Sequence, residues 1–222
     1  MDAVIKVGGS LAEKPKNLRN FCLQLARFSR FYRILVIPGG GVFADVVRIL
    51  DRTYRISAKT THTMAVLGMD QYGFFLADLI PNSRIVYSLK EAKKAASLKV
   101  LPVLIPSRLV LKTKLLKPSW EVTSDSIAAY VAAKIKAKKL LLVTDVDGIF
   151  TENPKTNPSS NFLKEISTTE LLKWNTRTCV DKFAPKLIQK FRTDSYVVNG
   201  YYPVRIRKIL EEKPTIYTKI NP

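Results

Sequence analysis

The residues best equipped for chemistry in this chain stand at the ends of apolar segments. Lys6 lies in a run of Val and Ile directly ahead of Gly8, Gly9 and Ser10. A second apolar run, Ile34 to Ile37, ends in Pro38-Gly-Gly-Gly41. Glycines at the start of a helix leave backbone N–H groups bare where the helix dipole is positive, and that combination attracts phosphate. Two such junctions near the start of the chain predict two phosphate seats side by side, as transfer between a nucleotide and an acceptor requires. Neither is a Walker A loop, because Lys6 precedes its glycines instead of following them. Taken alone, Gly-Gly-Ser after a strand reads equally well as a plain turn.

Other side chains sharpen the reading. A lysine among Val and Ile is either an edge residue that snorkels or a cation held for a purpose. Phosphoryl transfer asks the protein mainly for positioning and for cations against the charge of the moving group, which suits a fixed ammonium at Lys6. Asp125 follows Thr123 and Ser124 at a helix start, where it is either a cap or a carboxylate that orients lysines. Asp145 and Asp147 end an apolar strand just before Gly148, a turn signal that is also a ligand-binding position at a strand's carboxyl end. The spacing excludes an EF-hand. Lys186, in isolation, is an ordinary surface lysine.

The elements that must position these residues alternate between strand and helix, which predicts an α/β domain with a mostly parallel sheet. Strands are expected at Ala3 to Val7, Arg33 to Ile37, Ile85 to Tyr87, Val100 to Ile105, Leu140 to Val143, 195–198 and 215–220. Leu18, Phe21, Cys22, Leu25 and Phe28 mark one face of a helix, and Phe43, Val46, Val47 and Leu50 another. A long helix is expected from Ala58 to Leu79 and a Lys/Ala-rich one before Val100. Pro106 to Pro118 reads as a connection, and Thr123 or Ser124 as the cap of the next helix. Residues 152–161 read as a loop, with helices near 168–174, 181–192 and 202–213.

A chain of 222 residues with 46% hydrophobic and 25% charged residues fits one sizeable core in two lobes, about 1–118 and about 119–222. No apolar stretch is long enough to span a bilayer and no signal peptide is visible, so the expectation is a cytoplasmic protein without a membrane partner. Cys22 and Cys179 show no metal or disulfide spacing, and His62 is the only histidine, so no metal-binding residues are expected. The net charge of +19 suits either nucleic acid or polyanionic small molecules. Its cations are scattered, without interleaved aromatics, which argues against a specific nucleic-acid partner; a basic nucleic-acid binder on the same scaffold is the alternative of another class.

Taken together, Lys6-Val-Gly-Gly-Ser10, Pro38-Gly-Gly-Gly41, Thr123-Ser-Asp-Ser-Ile-Ala-Ala129, Thr144-Asp-Val-Asp-Gly148 and Lys186-Leu187 occur in the order found in the amino acid kinase superfamily, which the chain resembles over nearly its whole length. That resemblance implies a three-layer α-β-α sandwich, ATP and Mg2+ as cofactors, and a homo-oligomer. By the same resemblance Lys6 and Lys186 stabilise the transferring group and Asp125 holds them. Gly8, Gly9 and Ser10 cradle the ATP phosphates, with Thr144, Asp145 and Gly148 beside the nucleotide. Gly40 and Gly41 face the acceptor, Gly41 also counting among the nucleotide contacts, and His62 touches the acceptor. Where many members have Gly-Gly-Met, this chain has Asp181-Lys-Phe183, so Lys182 competes with Lys186.

Isopentenyl phosphate kinases carry a histidine where Asp45 stands. Thr61 to Ala65, Met69 to Gly73, Thr178 to Lys182 and Val198 to Pro203 look most like the small archaeal aspartokinase-related kinases. These include a methanofuran-biosynthesis kinase, which implies a small phosphorylated acceptor, (5-(aminomethyl)furan-3-yl)methyl phosphate. Uridylate or isopentenyl phosphate is the runner-up.

Overall fold

The computed structural model describes residues 1–174 and 178–222. Its centre is β1 (Ala3–Val7), buried along its whole length. The period of two along a strand sends Ala3, Ile5 and Val7 into one hydrophobic core and Val4 into another on the opposite face. Lys6 shares the face of Val4, but it sits at the carboxyl end of the strand, where that core gives way to a cleft.

The first half of the chain continues through α1 (Pro15–Phe28), β2 (Ile34–Pro38), α2 (Gly41–Tyr54) and α3 (Ala58–Leu79). It then adds β3 (Ser83–Val86), α4 (Leu89–Ser97), β4 (Leu101–Leu104) and α5 (Ser107–Val110). The second half opens with α6 (Ser124–Ile135) and β5 (Lys139–Thr144), then a hairpin of β6 (Ile149–Phe150) and β7 (Phe162–Leu163). It closes with β8 (Glu165–Ser167), α7 (Thr168–Lys173), α8 (Ala184–Phe191), β9 (Asp194–Asn199), α9 (Val204–Leu210) and β10 (Thr218–Asn221).

One sheet of eight strands, ordered β3-β4-β2-β1-β5-β9-β10-β8, runs through both halves. Its strand pairs are parallel except β9–β10. Helices α1 and α9 cover one face, while α4, α6, α7 and α8 cover the other and α3 feeds both cores, giving the expected α-β-α sandwich. The chain moves from β1 to β2 on one side and later returns to β5 on the other. The carboxyl end of β1 is therefore a switch point, where open α/β sheets form their ligand crevice.

The element boundaries shift by a few residues from those read in the sequence. The β6–β7 hairpin brackets the expected loop at 152–161, and α5 interrupts the connection at 106–118, where Asp70 accepts a hydrogen bond from the Ser107 N–H (3.1 Å). Much of the positive charge has a local reason. The last turns of α1, α4, α6 and α8 carry Arg27, Lys94, Lys134 and Lys190. Lys99, Lys136 and Arg192 follow α4, α6 and α8 in left-handed conformation. Cations at helix C-termini complement the helix dipole.

Candidate active site

The two glycine junctions meet. A Cβ added to Gly9 would lie 2.4 Å from the Gly41 Cα, and one on Gly39 would lie 2.8 Å from the Val7 carbonyl oxygen. Gly41 opens α2 with a φ of +53°, in the left-handed region that favours glycine. Side chains at these positions would force apart the turn after β1 and the start of α2. Tyr72, buried on α3, braces both: its hydroxyl donates to the Gly8 carbonyl (3.4 Å), and its ring would stand 3.2 Å from a Cβ on Gly41.

Beside this contact the Lys6 ammonium lies 2.7 Å from Asp125 Oδ1, both side chains almost fully buried. Burial pushes the Asp125 carboxyl up from its ordinary value, the Lys6 ammonium pulls it back, and Asp181 pushes it up again, for a net rise. The backbone N–H of Asp181 donates to Asp125 Oδ2 (3.1 Å).

The Asp181 carboxylate accepts from the N–H groups of Thr123 (3.0 Å) and Ser126 (2.9 Å) at the start of α6. It also accepts from those of Phe183 (3.1 Å) and Ala184 (2.8 Å) at the start of α8. One carboxylate thus caps two helices. This corrects the expectation that Thr123 or Ser124 caps α6: Thr123 holds the cap position, but its side chain caps nothing. Its hydroxyl donates instead to Asp181 (2.9 Å).

One cavity adjoins the pair and a second adjoins the first. The first, about 640 Å³, is lined by Lys6, the glycines Gly8, Gly9, Gly40 and Gly41, Ser10, Asp125 and Thr144. It also reaches His62, Asp45, Arg48 and Trp120. His62 is buried, and desolvation pushes its pKa down, so it meets the cavity as a neutral imidazole at neutral pH. The second cavity, about 530 Å³, is lined by Thr144, Asp145, Gly148, Phe150, Pro154 and Lys155, among others, and shares Thr144 and Cys179 with the first.

Asp145 ties the two cavities together. It accepts from the Ser10 hydroxyl (3.0 Å) and pairs with the Lys155 ammonium. Burial alone would raise the Asp145 carboxyl, but hydrogen bonds from Lys155 and Ser10 hold it below the usual carboxylate range. Asp147 is drawn away, pairing with Arg205 (2.6 Å) and Asn199 (3.0 Å).

Lys186 stands apart. It is exposed on α8, its ammonium 5.8 Å from the centre of the Phe183 ring, and it lines neither cavity. Lys182 is exposed and lines neither as well. The structure therefore brings together every candidate residue except Lys186 and its competitor Lys182.

Sequence reasoning passed over Asp181, Tyr72, Arg48, Trp120 and Lys155 as site residues. Asp181 alone carried a local signal, standing three residues ahead of Ala184 as a helix cap does.

A central strand that offers a buried lysine–carboxylate pair beside two contacting glycine seats defines a phosphoryl-transfer enzyme. Among known proteins, the chain matches the Amino acid kinase family over residues 1–199, and it belongs to that family. It is 34% identical to the (5-(aminomethyl)furan-3-yl)methyl phosphate kinase of Methanocaldococcus jannaschii, covering 98% of this chain and 96% of that one. It is 24% identical to the uridylate kinase of Methanosarcina barkeri, over 95% and 91% of the two chains. The solved uridylate kinase of Archaeoglobus fulgidus shares the fold with a TM-score of 0.77 at 22% identity, covering 99% of this chain and 100% of that one. No helix among the described residues is long and apolar enough to cross a membrane.

Proposed function

We propose that this kinase transfers the γ-phosphoryl group of ATP to a small phosphate monoester, (5-(aminomethyl)furan-3-yl)methyl phosphate, giving the diphosphate needed in methanofuran biosynthesis. The observation that carries the reaction is the Lys6–Asp125 pair lining one cavity with two contacting glycine seats. The choice of acceptor rests on the full-length likeness to the Methanocaldococcus jannaschii enzyme.

In this reading an oxygen of the acceptor's phosphate attacks the γ-phosphorus, the bond to the β-bridging oxygen breaks, and ADP leaves. Lys6 faces the charge that accumulates on the transferring group, and Asp125 keeps its ammonium aimed there. Gly8, Gly9, Ser10 and Gly41 offer N–H groups and a hydroxyl to the nucleotide's phosphates. Thr144, Asp145 and Gly148 line the nucleotide's cavity, while Gly40 and His62 face the acceptor. Lys186 joins as second catalytic cation by swinging off the Phe183 ring. Residues 1–118 supply the acceptor side, and residues 119–222 the ATP side.

No group of three or more His, Cys, Asp or Glu able to hold a metal occurs among the described residues. Mg2+ would be carried by the nucleotide's phosphates and water, with the Asp145 carboxylate that lines the second cavity able to hold it, and would neutralise phosphate charge there. The reading also includes a cytoplasmic homo-oligomer, for which the exposed stripe Val42, Val46 and Ile49 on α2 offers an apolar face.

The test is ADP release over a panel of phosphorylated acceptors. The furan phosphate should turn over best. Preference for UMP or isopentenyl phosphate would reassign the acceptor, and silence with every phosphomonoester would end the kinase reading.

A further inference from the structure

Among the described residues, two lysine or arginine side chains line the first cavity, Lys6 and Arg48. Lys6 is committed to Asp125 and to the reaction centre. Arg48 is held in place from two sides. On α2, Asp45 Oδ1 takes its Nη1 at 2.5 Å, and across the cavity mouth the Trp120 ring lies 5.1 Å from its Cζ. Trp120 is fixed in turn by its indole N–H, which donates to Asp51 Oδ2 (2.7 Å).

The spacing on α2 explains the arrangement. Gly41, Ala44, Asp45 and Arg48 fall on one helical face, and all four line the cavity. The helix therefore runs from the glycine seat at its N-terminus to a guanidinium about two turns on. The Nε and Nη2 of Arg48 have no hydrogen-bond partner among the described residues. A guanidinium fork with unused donors, orientation supplied by a carboxylate and an aromatic face, matches a phosphate dianion.

We infer that Arg48 is the anchor for the acceptor's phosphate and sets the preference for phosphorylated acceptors, with Asp45 as its positioning residue and Trp120 as the wall against which it is stacked. This rests on the kinase reading above and adds the group that recognises the substrate class. The glycine seats supply backbone N–H groups to any anion, whereas Arg48 supplies the charge that separates a phosphate ester from the corresponding alcohol.

The test is steady-state kinetics of Arg48→Ala, Arg48→Lys and Asp45→Asn, varying acceptor and ATP separately. Arg48→Ala should raise the KM of the phosphorylated acceptor roughly 10- to 100-fold and leave the KM for ATP within about twofold. Arg48→Lys should be intermediate, Asp45→Asn should cost several-fold, and free guanidinium ion should restore part of the Arg48→Ala loss. The unchanged KM for ATP also shows that the variant is folded. An unchanged acceptor KM in Arg48→Ala, or equal rises in both KM values, overturns the anchor while leaving the kinase reading in place. A wild-type enzyme that releases no ADP with any phosphomonoester overturns both.

Discussion

Asp181 holds Asp125 from 56 positions away: its backbone N–H donates to Asp125 Oδ2 at 3.1 Å, while its own carboxylate caps α6 and α8. The carboxylate partner of Lys6 is thus seated by the residue that also fixes where both helices begin. Position and chemistry share one support.

Removing that support should cost both stability and rate. Asp181→Ala leaves several N–H donors at two buried helix starts without an acceptor, which should cost about 2–4 kcal/mol by denaturant unfolding. Its kcat should also fall, because Asp125 loses its seat, whereas Asp181→Asn should keep part of both. Wild-type stability in Asp181→Ala would show that the double cap contributes nothing.

The Lys6–Asp125 pair separates catalysis from stability. Lys6→Ala should lower kcat by roughly 10²-fold or more, the usual loss for one preorganised electrostatic donor. Asp125→Ala strands a buried ammonium and should cost about 3–5 kcal/mol. Replacing both, as Lys6→Met with Asp125→Leu, should recover much of that stability without any activity. If the double variant is as unstable as Asp125→Ala, the penalty does not come from the unpaired charge.

Two exposed lysines compete for the second catalytic place. Lys186→Ala should abolish turnover, while Lys182→Ala should act mainly on KM or stability. The reverse pattern in kcat would assign the role to Lys182. Normal turnover in both variants would leave Lys6 as the only lysine of the mechanism.

The two thiols give a prediction about pH. Burial pushes Cys22 and Cys179 up to about 12 from an ordinary value of 9.0, so both are protonated at pH 8. Cys22, sealed in the core, should therefore react with a disulfide reagent only after unfolding, while Cys179, partly exposed where the two cavities meet, should react slowly in native protein because so little of it is thiolate. Because the folded values lie above the unfolded ones, this contribution to stability is full below about pH 9 and is lost as pH rises toward 12. Rapid labelling of Cys22 in the folded protein at pH 8 would contradict its burial.

The sequence by itself determined what depends on neighbours along the chain. An apolar run along Ala3 to Val7, a period near four along α1 and glycines at strand ends can be read because each reflects the geometry of a few consecutive residues. The order of five short motifs was enough for the family and for most of the site. Tertiary structure decided the rest. Neither Tyr72 nor Asp181 could be read as a brace, since Gly8 lies 64 positions from Tyr72 and Ser126 lies 55 from Asp181, and only the closed fold brings them together. Arg48 looked like one cation among many until Trp120 and the cavity gave it surroundings. Lys186 lies outside the cavities because α8 starts at Ala184 and turns that face to solvent, a rotation that no motif encodes. Local periodicity fixes what an element is, but which of its faces meets a ligand depends on the packing of elements remote in sequence.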